Sequence, residues 1–277
     1  MIAIVRIFFY VVFGYFLLLL VVFSFQRSLQ YYPNKNDPGN PAAQGLPEMR
    51  VVKTRTDDDY TLVAWYAPPK KTQGPVVVMF HGNAGNISHR TIKARTMIDQ
   101  GLGIMMVEYR GYGSNKGRPT ESGLYSDARA ALAWLEGEGI KSAQMILYGE
   151  SLGTGVAVQM ATEMTPYLLV LEAPFDSAAN VAKKAYPFLP IDFLMQDRFD
   201  SIDKIKQIKT PLLIVHGDED NVIPLALAKN LFEAANHPKE INIINGGGHA
   251  DLYDHHAGHL ITEWISKQTV QQTEQQP

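Results

Sequence analysis

Apolar positions along the chain fall into three regimes, and each predicts a different kind of structure. From Ile7 to Phe25 the run is unbroken by charge and interrupted only by Gly14, Ser24 and two tyrosines. One helix of that length and character covers the hydrocarbon thickness of a bilayer. The run closes on Phe25-Gln26-Arg27-Ser28 rather than on small residues flanking a cleavage point, so it predicts an uncleaved single-pass N-terminal anchor within residues 1–30. Tyr31 and Tyr32 suit the interface, and Arg27 and Lys35 suit a polar exit. Arg6 and the terminal amine balance Arg27 and Lys35, which leaves the side of the membrane holding the remaining chain open. The alternative is a helix buried in the core of a soluble protein.

The second regime, residues 31–48, is rich in Pro, Gly, Asn and Gln without apolar periodicity and reads as a linker or surface-hugging arm. The third begins near Met49 and extends to Lys267. Two β-like runs, Arg50 to Thr54 and Tyr60 to Tyr66, flank the turn Asp57-Asp58-Asp59, an antiparallel start. Continuous apolar runs then alternate with helical periodicity: Val76 to Phe80, Gly103 to Tyr109, Gln144 to Tyr148, Leu168 to Leu171, Leu212 to Val215 and Ile241 to Ile244. Strands apolar on both faces belong in a parallel sheet covered by helices. Helices are expected over Ser88–Gln100, Glu121–Leu135, Leu152–Glu163, Leu225–Ala235 and Asp251–Lys267. The expected fold is therefore α/β, a mostly parallel central sheet with antiparallel N-terminal strands and helices on both faces. Residues 174–208 depart from the alternation and predict a small helical insertion after the sixth strand; its aromatics, Phe175, Tyr186, Phe188, Phe193 and Phe199, cover the active site or form the insertion's own core. The polar segment 268–277 is expected to be a disordered tail.

Composition narrows the function classes. The chain has 277 residues, 46% hydrophobic, with a formal net charge of −3 and no basic arm, which gives no reason to expect nucleic acid as a partner. With no cysteine there is no thiolate nucleophile and no disulfide. His255 and His259 have i,i+4 spacing within the last expected helix, but no third ligand marks a metal site, and no cofactor is implied.

The chemistry concentrates at Gly149-Glu150-Ser151-Leu152-Gly153, a G-x-S-x-G pattern between an apolar strand and a helix. A serine there makes a sharp, strained turn that exposes its hydroxyl, and glycines remove side chains that would collide. A hydroxyl needs a base to take its proton and an acid to orient the base. Asp220 and then His249 follow in chain order, each in a loop leaving the carboxyl end of a strand. Of the carboxylates in His216-Gly217-Asp218-Glu219-Asp220, Asp220 is the acid because it lies one loop turn beyond the strand, with Asp218 a turn residue. The oxyanion donors are expected to be the amide of Leu152 and, from the glycine-rich loop after Phe80, that of Asn83. His81 is expected to brace that loop, and Glu150 to line the pocket or pair with a neighbour.

Phe80-His81-Gly82-Asn83-Ala84-Gly85-Asn86, Tyr109-Arg110-Gly111-Tyr112-Gly113 and Gly149-Glu150-Ser151-Leu152-Gly153, with His216-Gly217-x-x-Asp220-x-x-Ile223-Pro224 and Gly248-His249, resemble the single-span α/β-hydrolase-domain proteins. The likeness covers about Met49 to Lys267. It implies a serine hydrolase of esters or thioesters acting on acyl lipids or acylated substrates, without cofactor. Mammalian relatives with similar motifs remove palmitate from proteins and attach through a cysteine-rich N-terminus; this chain has an apolar segment in its place. Two other readings of the same residues are a peptidase for short peptides and a binding protein that keeps the fold without catalysis.

Overall fold

Strands that bury both faces can satisfy their backbone groups only side by side beneath helices, and the apolar runs assemble in that way. A computed structural model of the chain describes residues 1–274. Eight strands form one sheet: β1 (Arg50–Arg55), β2 (Thr61–Ala67), β3 (Val76–Phe80), β4 (Gly103–Val107), β5 (Met145–Glu150), β6 (Leu168–Glu172), β7 (Leu212–Gly217) and β8 (Lys239–Ile244), in the order β8-β7-β6-β5-β3-β4-β2-β1. Only β2 runs against its neighbours, pairing antiparallel with β1 and β4. In central β3 every side chain is buried, and Phe80 at its end stands opposite Val107 of β4 and Gly149 of β5. The parallel strands therefore deliver their carboxyl ends to one edge, where the loops carrying Asn83, Ser151, Asp220 and His249 meet.

The helices follow in chain order: α1 (Ile2–Gln30), α2 (Thr91–Asp99), α3 (Glu121–Gly137), α4 (Leu152–Glu163), α5 (Ala178–Ala185), α6 (Ile191–Leu194), α7 (Ser201–Lys204), α8 (Leu225–Ala234) and α9 (Ala257–Glu274). Leu124, Val156 and Leu231 of α3, α4 and α8 pack one face of the sheet, and Met97 of α2 with Ile261 and Trp264 of α9 pack the other. Thr120 caps α3 by accepting from Gly123 N, which satisfies one of the free amides of its first turn.

Among the described residues α1 is the one helix long and apolar enough to cross a membrane, with a mean hydropathy of 2.6. None of its residues is buried, which removes the alternative of a core helix. Its second half lies along the insertion. Tyr15 donates its hydroxyl to Phe188 O at 2.8 Å, Gln26 exchanges bonds with Leu194 O and Gln196 N at 3.0 and 2.8 Å, and Arg27 forks onto Asp197 at 2.9 and 3.2 Å. Tyr31 is buried and donates to the same carboxylate. Residues 31–48 follow the surface: Tyr32–Pro33 pair in parallel with Ala84–Gly85, Asn40 caps a 3-10 turn over Pro41–Gln44, and Leu46 is buried.

Two expectations change, and an alternative left open divides. The last helix starts at Ala257 rather than Asp251, because Asp251 Oδ1 accepts from Gly248 N and the following residues form turns. His255 therefore precedes the helix that holds His259, and the expected helical pair of histidines does not exist. The same helix reaches Glu274, inside the segment expected to be a disordered tail, and residues 275–277 lie outside the described residues. In the insertion the aromatics divide: Phe175 and Phe199 are buried, whereas Tyr186, Phe188 and Phe193 are 51%, 62% and 90% exposed.

Candidate active site

Ser151 sits between the last residue of β5 and the first of α4 with φ 49° and ψ −115°, a backbone state that a residue with a Cβ avoids. Its neighbours hold it there. Ser151 N donates to Glu172 O of β6 at 2.9 Å, and Ser151 O accepts from Thr154 N and Thr154 Oγ1 at 2.9 and 2.6 Å. A Cβ on Gly149 would lie 2.5 Å from Thr154 Cα, and one on Gly153 would overlap Phe80 O, so the two glycines let α4 start this close to β3 and β5. The turn leaves Oγ at the carboxyl edge of the sheet.

There it meets His249, whose Nε2 lies 3.0 Å from Ser151 Oγ. His249 Nδ1 is 2.7 Å from Asp220 Oδ2. A carboxylate can only accept, which assigns the imidazole proton to Nδ1 and leaves a lone pair on Nε2 toward the serine. Asp220 Oδ1 accepts from Val222 N and Ile223 N, both at 2.8 Å. Burial drives the Asp220 carboxyl upward, but its bonds from His249 and these amides prevail and hold it below the usual range. His216 donates Nε2–H to Ile223 O at 2.8 Å, and burial keeps its ring below the ordinary histidine value. Asp218 faces away and accepts from Gly246 N at 2.7 Å, clamping the glycine loop that carries His249. The structure thus brings Ser151, His249 and Asp220 into one hydrogen-bonded line.

Leu152 and Asn83 both border the cavity in front of Ser151, and among the described residues no protein acceptor takes either backbone N–H. The side chain of Asn83 is committed elsewhere: Nδ2 donates to Gln30 O at 2.5 Å, and Oδ1 accepts from Tyr32 N and Tyr112 Oη, each at 3.1 Å. It ties the glycine-rich loop to the end of α1. His81 bridges Gly82 O and Glu108 at 2.7 and 3.0 Å, while Glu108 also accepts from Ile87 N, so this histidine braces the loop.

Beside the serine lies a cluster of which the sequence pointed only to Glu150. Lys93 bonds Glu172 at 2.6 and 2.7 Å and Glu150 at 3.2 Å, Arg90 bonds Glu150 at 3.0 Å, and Tyr148 donates to Glu172. Burial pushes the Glu150 carboxyl up, yet Lys93 and Arg90 outweigh it and bring it down to about 2. Burial likewise opposes the charge on Lys93, and Glu172 with Glu150 overcomes it and raises its pKa. Two cations thus face two carboxylates, so the group fixes the floor of the site without imposing a net charge on Ser151. Glu150 both lines the cavity and pairs with its neighbours. Glu150 was expected to line the pocket or find a partner, but not which one: Arg90 and Lys93 lie one turn apart, and the two carboxylates come from the ends of two strands.

From Ser151 opens a cavity of about 830 Å³. Its walls away from Ser151 are apolar and include Leu18 and Val22 of α1 and Val181, Leu189 and Leu194 of the insertion. The volume lies within the usual range for small-molecule sites, about 300–1,000 Å³.

A family profile described as an alpha/beta hydrolase domain matches residues 75–275. A Mycobacterium tuberculosis protein of uncharacterised function is 40% identical over 235 residues, covering 84% of this chain and 83% of the relative. The lysophosphatidylserine lipase ABHD12 of Danio rerio is 32% identical over 198 residues, 64% of this chain and 52% of that protein. The Pyrococcus furiosus esterase Pf2001 superposes with a TM-score of 0.68 at 18% identity, over 85% of this chain and 98% of the esterase.

Proposed function

The chain belongs to the alpha/beta hydrolase domain family, a hydrolase with that fold, and from this premise we propose that it is a membrane-anchored serine esterase cleaving carboxylic esters or thioesters of acyl groups. The observation that carries the proposal is the line Ser151 Oγ, His249 Nε2 at 3.0 Å and Asp220 Oδ2 at 2.7 Å from His249 Nδ1. His249 accepts the Ser151 proton as Oγ attacks the acyl carbonyl, and Asp220 holds the imidazole in the required tautomer. The backbone amides of Leu152 and Asn83 receive the oxyanion, aided by the N-terminus of α4. Collapse of the tetrahedral intermediate expels the alkoxide or thiolate, which takes the proton from His249. Water then enters by the same base and releases the acid.

Residues 49–267 form the catalytic domain in this reading, 174–208 its lid-like insertion, and α1 a retained anchor. Retention is supported by the bonds from Tyr15, Gln26 and Arg27 to the insertion and by Leu18 and Val22 in the cavity wall, all of which cleavage after α1 would remove. The decisive experiment treats wild type and Ser151→Ala with a short fluorophosphonate. Labelling of wild type alone is expected; equal labelling of both, or a folded wild type that does not react, overturns the assignment. A panel of ester, thioester and aminopeptide substrates ranks esters and thioesters first if the acyl reading holds, and a preference for the peptides turns it toward a peptidase.

A further inference from the structure

The cavity in front of Ser151 shares a wall with the helix that is apolar enough to cross a membrane, and this joins the two outstanding features of the chain. Leu18, Val22, Gln26 and Leu29 recur at helical spacing along α1 and all border the cavity. The opposite face of α1 does not: Phe16, Leu20 and Phe23 are exposed and outside it. One helix therefore offers one apolar face to the surroundings and another to the catalytic cavity.

Charges set the level of the bilayer against the site. Arg6 and Arg27 bracket the uncharged part of α1, and at 1.5 Å per residue the bracketed length is about 30 Å, the thickness of the hydrocarbon layer. Tyr15, bonded to Phe188 O, lies about 18 Å of helix from Arg27. Contact between α1 and the insertion thus continues well inside the apolar bracket. The insertion is built for that position. Tyr186, Phe188 and Phe193 are among its most exposed side chains, where water would oppose an apolar cluster. Ala178, Val181, Ala182 and Ala185 turn the inner face of α5 to the cavity, while in its last turn Lys183 pairs with Asp192 at 2.7 Å and Lys184 is exposed, two residues before Tyr186.

We propose that α1 and the insertion form a portal immersed in one leaflet, through which the acyl chain of a membrane-resident ester or thioester slides sideways into the cavity, its tail along Leu18 and Val22 and its carbonyl at Ser151. The inference rests on the esterase reading above and adds the source and route of the substrate. Drawing a long chain through water makes the exposed state about fourfold less populated for each methylene exposed, because each adds about 0.8 kcal/mol. A chain that passes between α1 and α5 never leaves an apolar environment. Polar groups lie at the far end of the route, where Arg90, Lys93, Glu150 and Glu172 meet the reacting carboxyl group rather than the tail.

Two measurements on the full chain in phosphatidylcholine vesicles test the portal. A fluorophosphonate carrying a hexadecyl chain with a mid-chain diazirine is bonded to Ser151 and photolysed. Adducts on the peptide holding Leu18 and Val22 are expected, and adducts confined to residues outside α1 overturn the portal. Leu18→Trp and Val22→Trp narrow the route and are expected to lower the ratio of kcat/KM for 4-nitrophenyl palmitate over the butyrate at least tenfold, whereas Leu20→Trp, on the outer face, leaves that ratio within twofold. An unchanged ratio in the first two variants overturns the portal. Absence of any reaction between wild-type Ser151 and a short fluorophosphonate overturns the esterase reading itself; reaction at Ser151 without contact to α1 overturns the portal alone.

Discussion

Asp220→Asn isolates the step on which the proposed mechanism depends. Asp220 Oδ1 accepts two backbone amides at 2.8 Å, and Oδ2 accepts His249 Nδ1–H at 2.7 Å. An asparagine has one acceptor and one donor end to divide between these sites. If its oxygen turns to His249, its amide group opposes Val222 N and Ile223 N, and the buried Ile223 donor loses its acceptor at about 1–3 kcal/mol, with a smaller loss at the part-buried Val222 donor. The cheaper arrangement keeps the oxygen on the amides and points NH2 at His249 Nδ1. The imidazole proton then moves to Nε2, where it faces Ser151 Oγ and no lone pair remains to take the serine proton. The same change in a serine protease triad lowers kcat about 10⁴-fold, roughly 5.5 kcal/mol of barrier. The assay is kcat/KM for 4-nitrophenyl butyrate from pH 5 to 9, with circular dichroism confirming a folded variant at the assay temperature. A folded Asp220→Asn protein that keeps more than a tenth of wild-type kcat/KM refutes the tautomer argument.

Gly153→Ala forces a Cβ into Phe80 O, and because a backbone carbonyl in the centre of the sheet has nowhere to move, destabilisation beyond about 3 kcal/mol is expected in urea unfolding, the upper end for overpacking. Arg27→Ala leaves the buried Asp197 carboxylate with Tyr31 Oη as its remaining side-chain donor; since Arg27 is half exposed, the cost is about 1–2 kcal/mol, read as roughly tenfold faster proteolysis within residues 36–48 at low protease. Lys93 and Arg90 hold the Glu150 carboxyl below the value of about 4.3 that it has in an unfolded chain, so its ionised form stabilises the protein above pH 4.3 and that contribution disappears as the pH falls below that value through the lowered one. Glu150→Gln should be less stable at pH 7, where Arg90 and Lys93 lose a partner, and should show a flatter loss of stability between pH 4.5 and 2; parallel acid curves for the two proteins would contradict the pairing.

Much of the fold was legible because burial on both faces leaves a continuous apolar mark. Val76 to Phe80 and Leu152 to Glu163 appear with the same bounds in the sequence reading and in the structure. The misread boundary at Asp251 has a local cause that propensity does not carry: its carboxylate accepts from Gly248 N and turns the chain before α9 can begin. The aromatics of the insertion were ambiguous for another reason. Phe199 and Phe193 look alike in sequence, and only the packing of Phe199 against Tyr125 and Gly155 separates a core side chain from an exposed one.

The candidate site divides along the same line. Gly149-Glu150-Ser151-Leu152-Gly153 marks itself, since a strained turn between strand and helix restricts which residues fit and those restrictions are local. Asp220 and His249 could be chosen by their order and their places after strands. Their 2.7 Å contact, the turning of Asp218 toward Gly246, and the Lys93 cluster arise where separate elements cross. Local pattern records backbone geometry and the period of burial, and by itself it determined an α/β sheet, the strained turn at Ser151 and an apolar helix. That this helix lies along the insertion and walls the cavity in front of Ser151 was decided only in three dimensions, because Arg27 and Asp197, like Asn83 and Gln30, become neighbours only when the sheet has brought distant loops to one edge.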